Sequence, residues 1–276
     1  MLWTGSTQWP NAFAVRSYFD VAIVISDSVI GSELALCLAA LALAAFAQGV
    51  FGLGFAMIAT PLLALILNYQ AAIFMAAVPL LVLASYWLLI NRRMVIRSGV
   101  PWTLLPGIAG GAAVGVAAQI ALPQRASLLL LAALLVLSVA IPWILGRWHQ
   151  VASDRMRRAA PLFGALAGIT EAALNVGAPF VVLFAALSRL SRVQQMVALN
   201  LCFCVGKAIQ VALLLAVAPA PVSGISLPLG VVVCLVFFRL GDHLAGRFPE
   251  DSFRQGLRFF LCVMAALLVV RASLAP

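Results

Sequence analysis

Two ionisable residues stand where the chain is otherwise almost wholly apolar: Glu171 in GITEAALNVGAP and Lys207 in LCFCVGKAIQ. A charge at membrane depth is expensive and marks a functional site by default. Lys207 is suited to neutralise an anion. Glu171 is suited to pair with Lys207 or to take up a coupling proton, and a structural ion pair is the plainer alternative for both. Asn175, Asn200 and Gln210, with Gln48 in the other half of the chain, offer hydrogen-bond donors to an oxyanion. On a helix, Asn200 and Lys207 share one face about two turns apart. Polar side chains also glue membrane helices together, so each of these residues has that simpler reading too.

The glycines add a second kind of chemistry. Gly49, Gly52 and Gly54 crowd AQGVFGLGFAMIATP, which closes on Pro61; Gly168, Gly177 and Pro179 form a similar pattern in the second half. Where a helix stops and another restarts inside a membrane protein, the new N-terminus presents unpaired N–H groups and the positive end of a dipole. Such an end is suited to an anion. Gly52, Gly54 and Gly177 would let it approach, with Pro61 and Pro179 as helix-break prolines. Close packing is the competing reading, and it is preferred for the ladder Gly107, Gly111 and Gly115. The glycine cluster lacks the Lys-Ser/Thr of a phosphate loop and any βαβ setting.

The elements that must position these residues are membrane helices. Of 276 residues, 65% are hydrophobic and 9% charged, far from the balance of a soluble domain. The formal charge of +9 does not point to nucleic acid, because the basic residues are scattered between apolar segments. Helical segments are expected at 33–49, 54–67, 70–90, 100–121, 125–145, 160–174, 178–188, 193–217, 225–247 and 253–272. Segments 54–67 and 178–188 are too short to cross straight through a bilayer core of about 30 Å, so each forms a broken or re-entrant hairpin with its predecessor. Arginines crowd the connections after residues 90, 145, 188 and 247, and nearly desert the alternate ones, which puts the arginine-rich loops in the cytoplasm and both termini outside.

The expected class is therefore an all-α polytopic membrane protein. Residues 1–32 form an exterior or interfacial segment, 33–145 a first transmembrane repeat, 146–159 a basic cytoplasmic loop and 160–272 a second repeat. The Gly-to-Pro runs Gly49–Pro61 and Gly168–Pro179, and later Gly115–Pro123 and Gly241–Pro249, carry the repeat. Each copy has about five segments, an odd number, so the second inserts upside down, and inverted repeats with broken helices point to a secondary transporter. Residues 1–30 lack the pattern of a cleavable signal peptide. The five cysteines, all in apolar segments, read as small buried hydrophobes, and no metal site is expected. Arg239 and Asp242 read as a local structural pair, and His149 and His243 as solvated. Paired carboxylates, His sets and Ser/His constellations are missing from the segments, which argues against an enzyme. A channel remains an alternative.

The stretches AQGVFGLGFAMIATPLLALIL, GALAGITEAALNVGAPFVVLFAAL and LGDHLAGRFPEDSFRQGLRFFLCVMAALLVV resemble the sulfite exporter TauE/SafE family, also called the 4-toluene sulfonate uptake permease family. Gly49, Gly52, Gly54 and Pro61 match its first motif, with Leu53 between the glycines and Phe55 and Ala56 at further small positions. Gly168, Gly177 and Pro179 match the second, where Glu171 and Asn175 replace small or hydroxyl residues. The resemblance implies an inner-membrane carrier of sulfite, sulfoacetate or other organosulfonates. The expected partners are that small anion, membrane lipid and a proton as coupling ion, with no nucleic acid and no cofactor. A carrier of a non-sulfur metabolite is the alternative cargo. The anion is expected between the two breaks near the midplane, reached by alternating access.

Overall fold

The computed structural model describes residues 31–147, 153–217, 226–247 and 250–274. Among them lie twelve helices: α1 Ser32–Phe51, α2 Phe55–Ile66, α3 Tyr69–Ile90, α4 Arg92–Arg97, α5 Leu104–Ala121, α6 Gln124–Arg147, α7 Ser153–Arg158, α8 Ala160–Leu174, α9 Ala178–Leu187, α10 Arg192–Val217, α11 Ser226–His243 and α12 Glu250–Leu274. No strand occurs among the described residues. In lipid, a helix satisfies its own backbone hydrogen bonds, and the composition leaves few other options. Six helices have the length and apolarity to cross a membrane, whereas α2, α8 and α9 are apolar but shorter. Large side chains such as Leu36, Val114, Val136, Val236 and Val270 face outwards. That is the surface a bilayer requires, since the polar residues are withdrawn inside.

The elements differ from expectation in a few places. Two short helices, α4 and α7, carry basic residues of the arginine-rich connections. The segment expected from residue 100 begins at Leu104, after a turn that includes Gly99 at φ 68°. The segment expected to run to 247 ends at His243, before a turn at Gly246 with φ 86°. The exterior segment 1–32 falls outside the described residues but for its last two.

Glycines set the closest crossings. A Cβ on Gly111 would run into the Ala165 carbonyl oxygen, and one on Gly168 into that of Ile108, so α5 and α8 touch backbone to backbone. The ladder Gly107, Gly111 and Gly115 lies wholly in this crossing. α1 and α11 meet in the same way: Gly49 abuts the Phe238 carbonyl, and Gly241 abuts that of Phe46. Gly49, a candidate anion-binding residue, also lies in this crossing, where the lack of a side chain lets α11 approach.

The crossings are reciprocal. α1 packs on α11 and α8 on α5; α3 packs on α10 and α6 on α12; α2 touches α12 and α9 touches α6. Arg271 of α12 donates to the Leu67 carbonyl at 2.8 Å, satisfying an orphan acceptor at the C-terminus of α2.

Candidate functional site: two helix breaks, a cavity and a buried polar network

Both breaks are built to one local plan. α1 ends at Gly52, whose left-handed φ of 74° turns the chain and whose N–H donates to the Gln48 carbonyl at 2.8 Å. The Gln48 side chain then spans the gap: its Nε2 donates to the Gly52 carbonyl at 3.2 Å, and its Oε1 accepts the Phe55 N–H at 3.1 Å. α8 ends at Asn175, also left-handed at φ 58°, with its N–H on the Glu171 carbonyl at 3.1 Å. Glu171 Oε2 accepts the Gly177 N–H at 2.7 Å. In each break a side chain one turn before the stop seals the first N–H groups of the restart. Gln48 and Glu171, Gly52 and Asn175, and Gly54 and Gly177 all lie at one constant interval along the chain. So do Asn68 and Ser191, whose side chains accept the N–H groups of Ala71 and Gln194 at the starts of α3 and α10.

The prolines do not share that interval. Pro179 sits in the first turn of α9, where its missing N–H costs nothing, whereas Pro61 lies inside α2. The chain breaks at left-handed residues, and Pro61 is not at a break.

Around the second break a polar network fills the interior. Lys207 Nζ lies 2.9 Å from Glu171 Oε1, with both side chains fully buried. It also donates to the Glu171 carbonyl at 2.6 Å, to Gln210 Oε1 at 2.8 Å and to Asn175 Oδ1. Gln210 Nε2 donates to the Ala172 carbonyl at 2.6 Å and to Gln119 Oε1 at 2.9 Å. Gln119 Nε2 in turn donates to Gln70 Oε1 at 3.0 Å. Asn175 Nδ2 reaches across to the Ile73 carbonyl at 3.0 Å. Lys207 thus has an acceptor for each of its donors, which a buried ammonium needs.

Asn175 is therefore held by its side chain in a conformation that L-residues avoid. We expect Asn175→Ala to melt lower than Asn175→Gly by about 1 kcal/mol of stability, since both lose the hydrogen bonds but only alanine retains the left-handed penalty. Thermal melting of the two purified variants in detergent checks this. Equal midpoints would mean that the turn carries no such penalty.

At the first break the same kind of surroundings are left hollow. A cavity of about 280 Å³ is lined by Gln48, Gly52, Trp87, Arg192, Asn200 and Asp242, with Met196 and Phe238 on its apolar wall. A water's share of liquid volume is about 30 Å³, so a small oxyanion fits. Trp87 is near the end of α3 and Arg192 begins α10, whereas Gln70 begins α3 and Gln210 lies late in α10. Cavity and network therefore occupy opposite ends of those two helices.

The expected site residues accordingly divide. Gln48, Gly49, Gly52 and Asn200 reach the cavity, Gly54 caps α2 at φ 116°, and Glu171, Asn175, Gly177 and Lys207 reach the network. Asn200 and Lys207 share α10 but are roughly 10 Å apart along it, so they face different places. The restart N–H groups of Phe55 and Gly177, expected to await an anion, are occupied by Gln48 and Glu171. Gln119 and Gln70 were not foreseen, although a glutamine inside GVAAQIALP is as anomalous as an asparagine. Arg192 and Trp87 were missed as lining residues, Arg192 having been read for topology alone.

The local pair of Arg239 with Asp242 does not form. Arg239 donates to the Tyr86 hydroxyl and lies 5.7 Å from that ring's centre, exchanging a solvated carboxylate for a fixed phenol on α3. Asp242 is left on the cavity rim. His243 is exposed, and His149 lies outside the described residues. Among the described residues no cluster of metal ligands occurs.

A multi-pass helical membrane protein with two interrupted helices, a polar cavity at one and a buried ion pair at the other belongs to the class of membrane transporters. The family model described as Sulfite exporter TauE/SafE matches residues 37–268, and the chain belongs to that family. It is thus a membrane transporter of sulfite-type anions and not an enzyme. No curated protein and no solved structure matched the chain.

Proposed function

We propose that the protein is an inner-membrane secondary carrier for sulfite or a small organosulfonate, and that the anion binds in the cavity at the first break. The observation that carries this reading is the cavity itself, which joins Arg192, Gln48 and Asn200 to an apolar wall. The guanidinium supplies the charge and a planar fork of donors suited to a sulfur oxyanion. Gln48 and Asn200 supply carboxamides, and turning Gln48 away from Phe55 would add that N–H at the positive end of α2. Trp87, Met196 and Phe238 suit the organic part of a sulfonate. Asp242 on the rim disfavours doubly charged anions, which favours a monoanion.

The reciprocal crossings and the constant interval support two inverted repeats, 33–145 and 160–272, as the alternating units. The positive-inside bias of Arg92, Arg93, Arg97 and Arg189 gives a cavity on the cytoplasmic side and termini outside.

Isothermal titration of purified protein with sulfite, ethanesulfonate and a carboxylate of similar size tests the site. Asn200→Ala and Gln48→Ala should each weaken binding of the preferred anion roughly 10-fold, the scale of one hydrogen bond to a charged group. Unchanged affinity in both would place the anion elsewhere.

A further inference from the structure

We infer that the Glu171–Lys207 pair and its glutamines form a lock on the far side of the transport path, filling the volume that the first break keeps open for the anion. The inference rests on the carrier reading above. The constant interval that relates the two breaks carries it residue by residue. Glu171 stands where the first break has Gln48, Asn175 where it has Gly52, Lys207 where α3 has Ala84, and Gln210 where α3 has Trp87. Ser191 and Asn68, which cap α10 and α3 in the same way, show that the register extends into these helices. At the first break, then, the third helix carries a buried alanine and no charge, and the cavity opens beside Gln48 and Trp87. At the second, an ammonium stands in place of that alanine and is held by Glu171, Asn175 and Gln210 at once.

Glu171 also does two jobs where Gln48 does one. Like Gln48, it accepts the N–H of the restarting helix; unlike Gln48, it brings a negative charge that fixes Lys207. Through Gln210 and Gln119 the same network ties α10 to α5 and, by Gln70, to α3. Opening that side of the protein requires α5 and α10 to part, which breaks Gln119 from Gln210. The lock is thus four side chains deep, and the ammonium is its innermost member.

The comparison of the breaks also supplies the variant. Glu171→Gln with Lys207→Ala gives the second break the sealing residue and the small residue of the first, and it strands no charge. Reconstituted in proteoliposomes, this double variant should exchange labelled sulfite across the membrane at least threefold faster than the parent. Hydrogen–deuterium exchange over residues 171–179 and 207–212 should rise at least tenfold. Faster local exchange with an unchanged transport rate would make the pair a structural brace and overturn the lock, as would no change in either. Lost transport with sulfite binding intact would overturn it too, by making the pair part of the carrying step. Sulfite binding to the same samples separates this from a failure of the proposed site: a parent that binds no sulfite sinks the site itself. Should the double variant not fold, Gln119→Leu cuts the same network without touching the charges and is read by the same two measurements.

Discussion

Lys207→Met is expected to cost about 3–5 kcal/mol of stability, the scale for removing one partner of a buried ion pair. The loss comes less from the bond removed than from what remains. Glu171 would be left fully buried without its cationic partner, and Asn175 Oδ1 and Gln210 Oε1 would lose their donor. A buried polar group without a partner pays its full desolvation cost. Adding Glu171→Gln should recover most of the deficit, because glutamine still accepts the Gly177 N–H and carries no charge. The melting midpoints of parent, both singles and the double in one detergent form a double-mutant cycle that isolates the coupling. If Lys207→Met melted with the parent, the pair would contribute nothing to holding α8 against α10.

Gly168→Val is expected to cost about 3 kcal/mol, at the upper end for overpacking a well-filled interior. The new side chain would meet the Ile108 carbonyl oxygen, with Ala112 N at 2.9 Å and the Ile108 carbonyl carbon at 3.0 Å. These are main-chain atoms on a neighbouring helix and cannot rotate aside, so α5 and α8 must separate along their length. Gly110 is the internal control. It lies on α5 too, but a Cβ there meets nothing within 4 Å. Gly110→Ala should be neutral or stabilising by about 0.5–1 kcal/mol, the difference in helix propensity. Melting of both variants distinguishes a contact effect from a general intolerance of the helix to substitution. Equal behaviour of the two would show that the crossing has slack.

Much of this is legible in the amino-acid sequence. Apolar length alone located the helices, since a bilayer leaves the backbone few choices. Glu171 and Lys207 were recognisable as partners because two opposite charges in an apolar setting seldom remain apart. What sequence could not separate was glycines of identical composition. Gly49 and Gly52 lie within one turn, yet Gly49 is spent on the backbone of α11 and Gly52 on a left-handed stop. That difference resides in a helix nearly two hundred residues away along the chain. The Gly-to-Pro spacing also suggested Pro61 and Pro179 as counterparts, whereas the hydrogen bonds pair Gln48 with Glu171 and Gly52 with Asn175. The candidate residues fall in two places because Asn200 and Lys207, on one helix face, are separated along the axis by a distance that a short side chain cannot bridge.

The reciprocal crossings bear on how the protein is made. α1 leaves the ribosome well before α11, yet the surface it is carved to fit belongs to α11, about 175 residues further along the chain. The glycine face around Gly49 must therefore wait in the membrane through most of synthesis, against lipid or a temporary partner, until Gly241 arrives. α5 waits less, because α8 follows soon after it. Assembly in chain order thus completes the α5–α8 crossing before that of α1 with α11, and the contacts of α12 with α2 and α6 come after both. A nascent chain halted before α11 would keep a narrow strip of bare helix backbone on α1, around Gly49, without the helix that covers it.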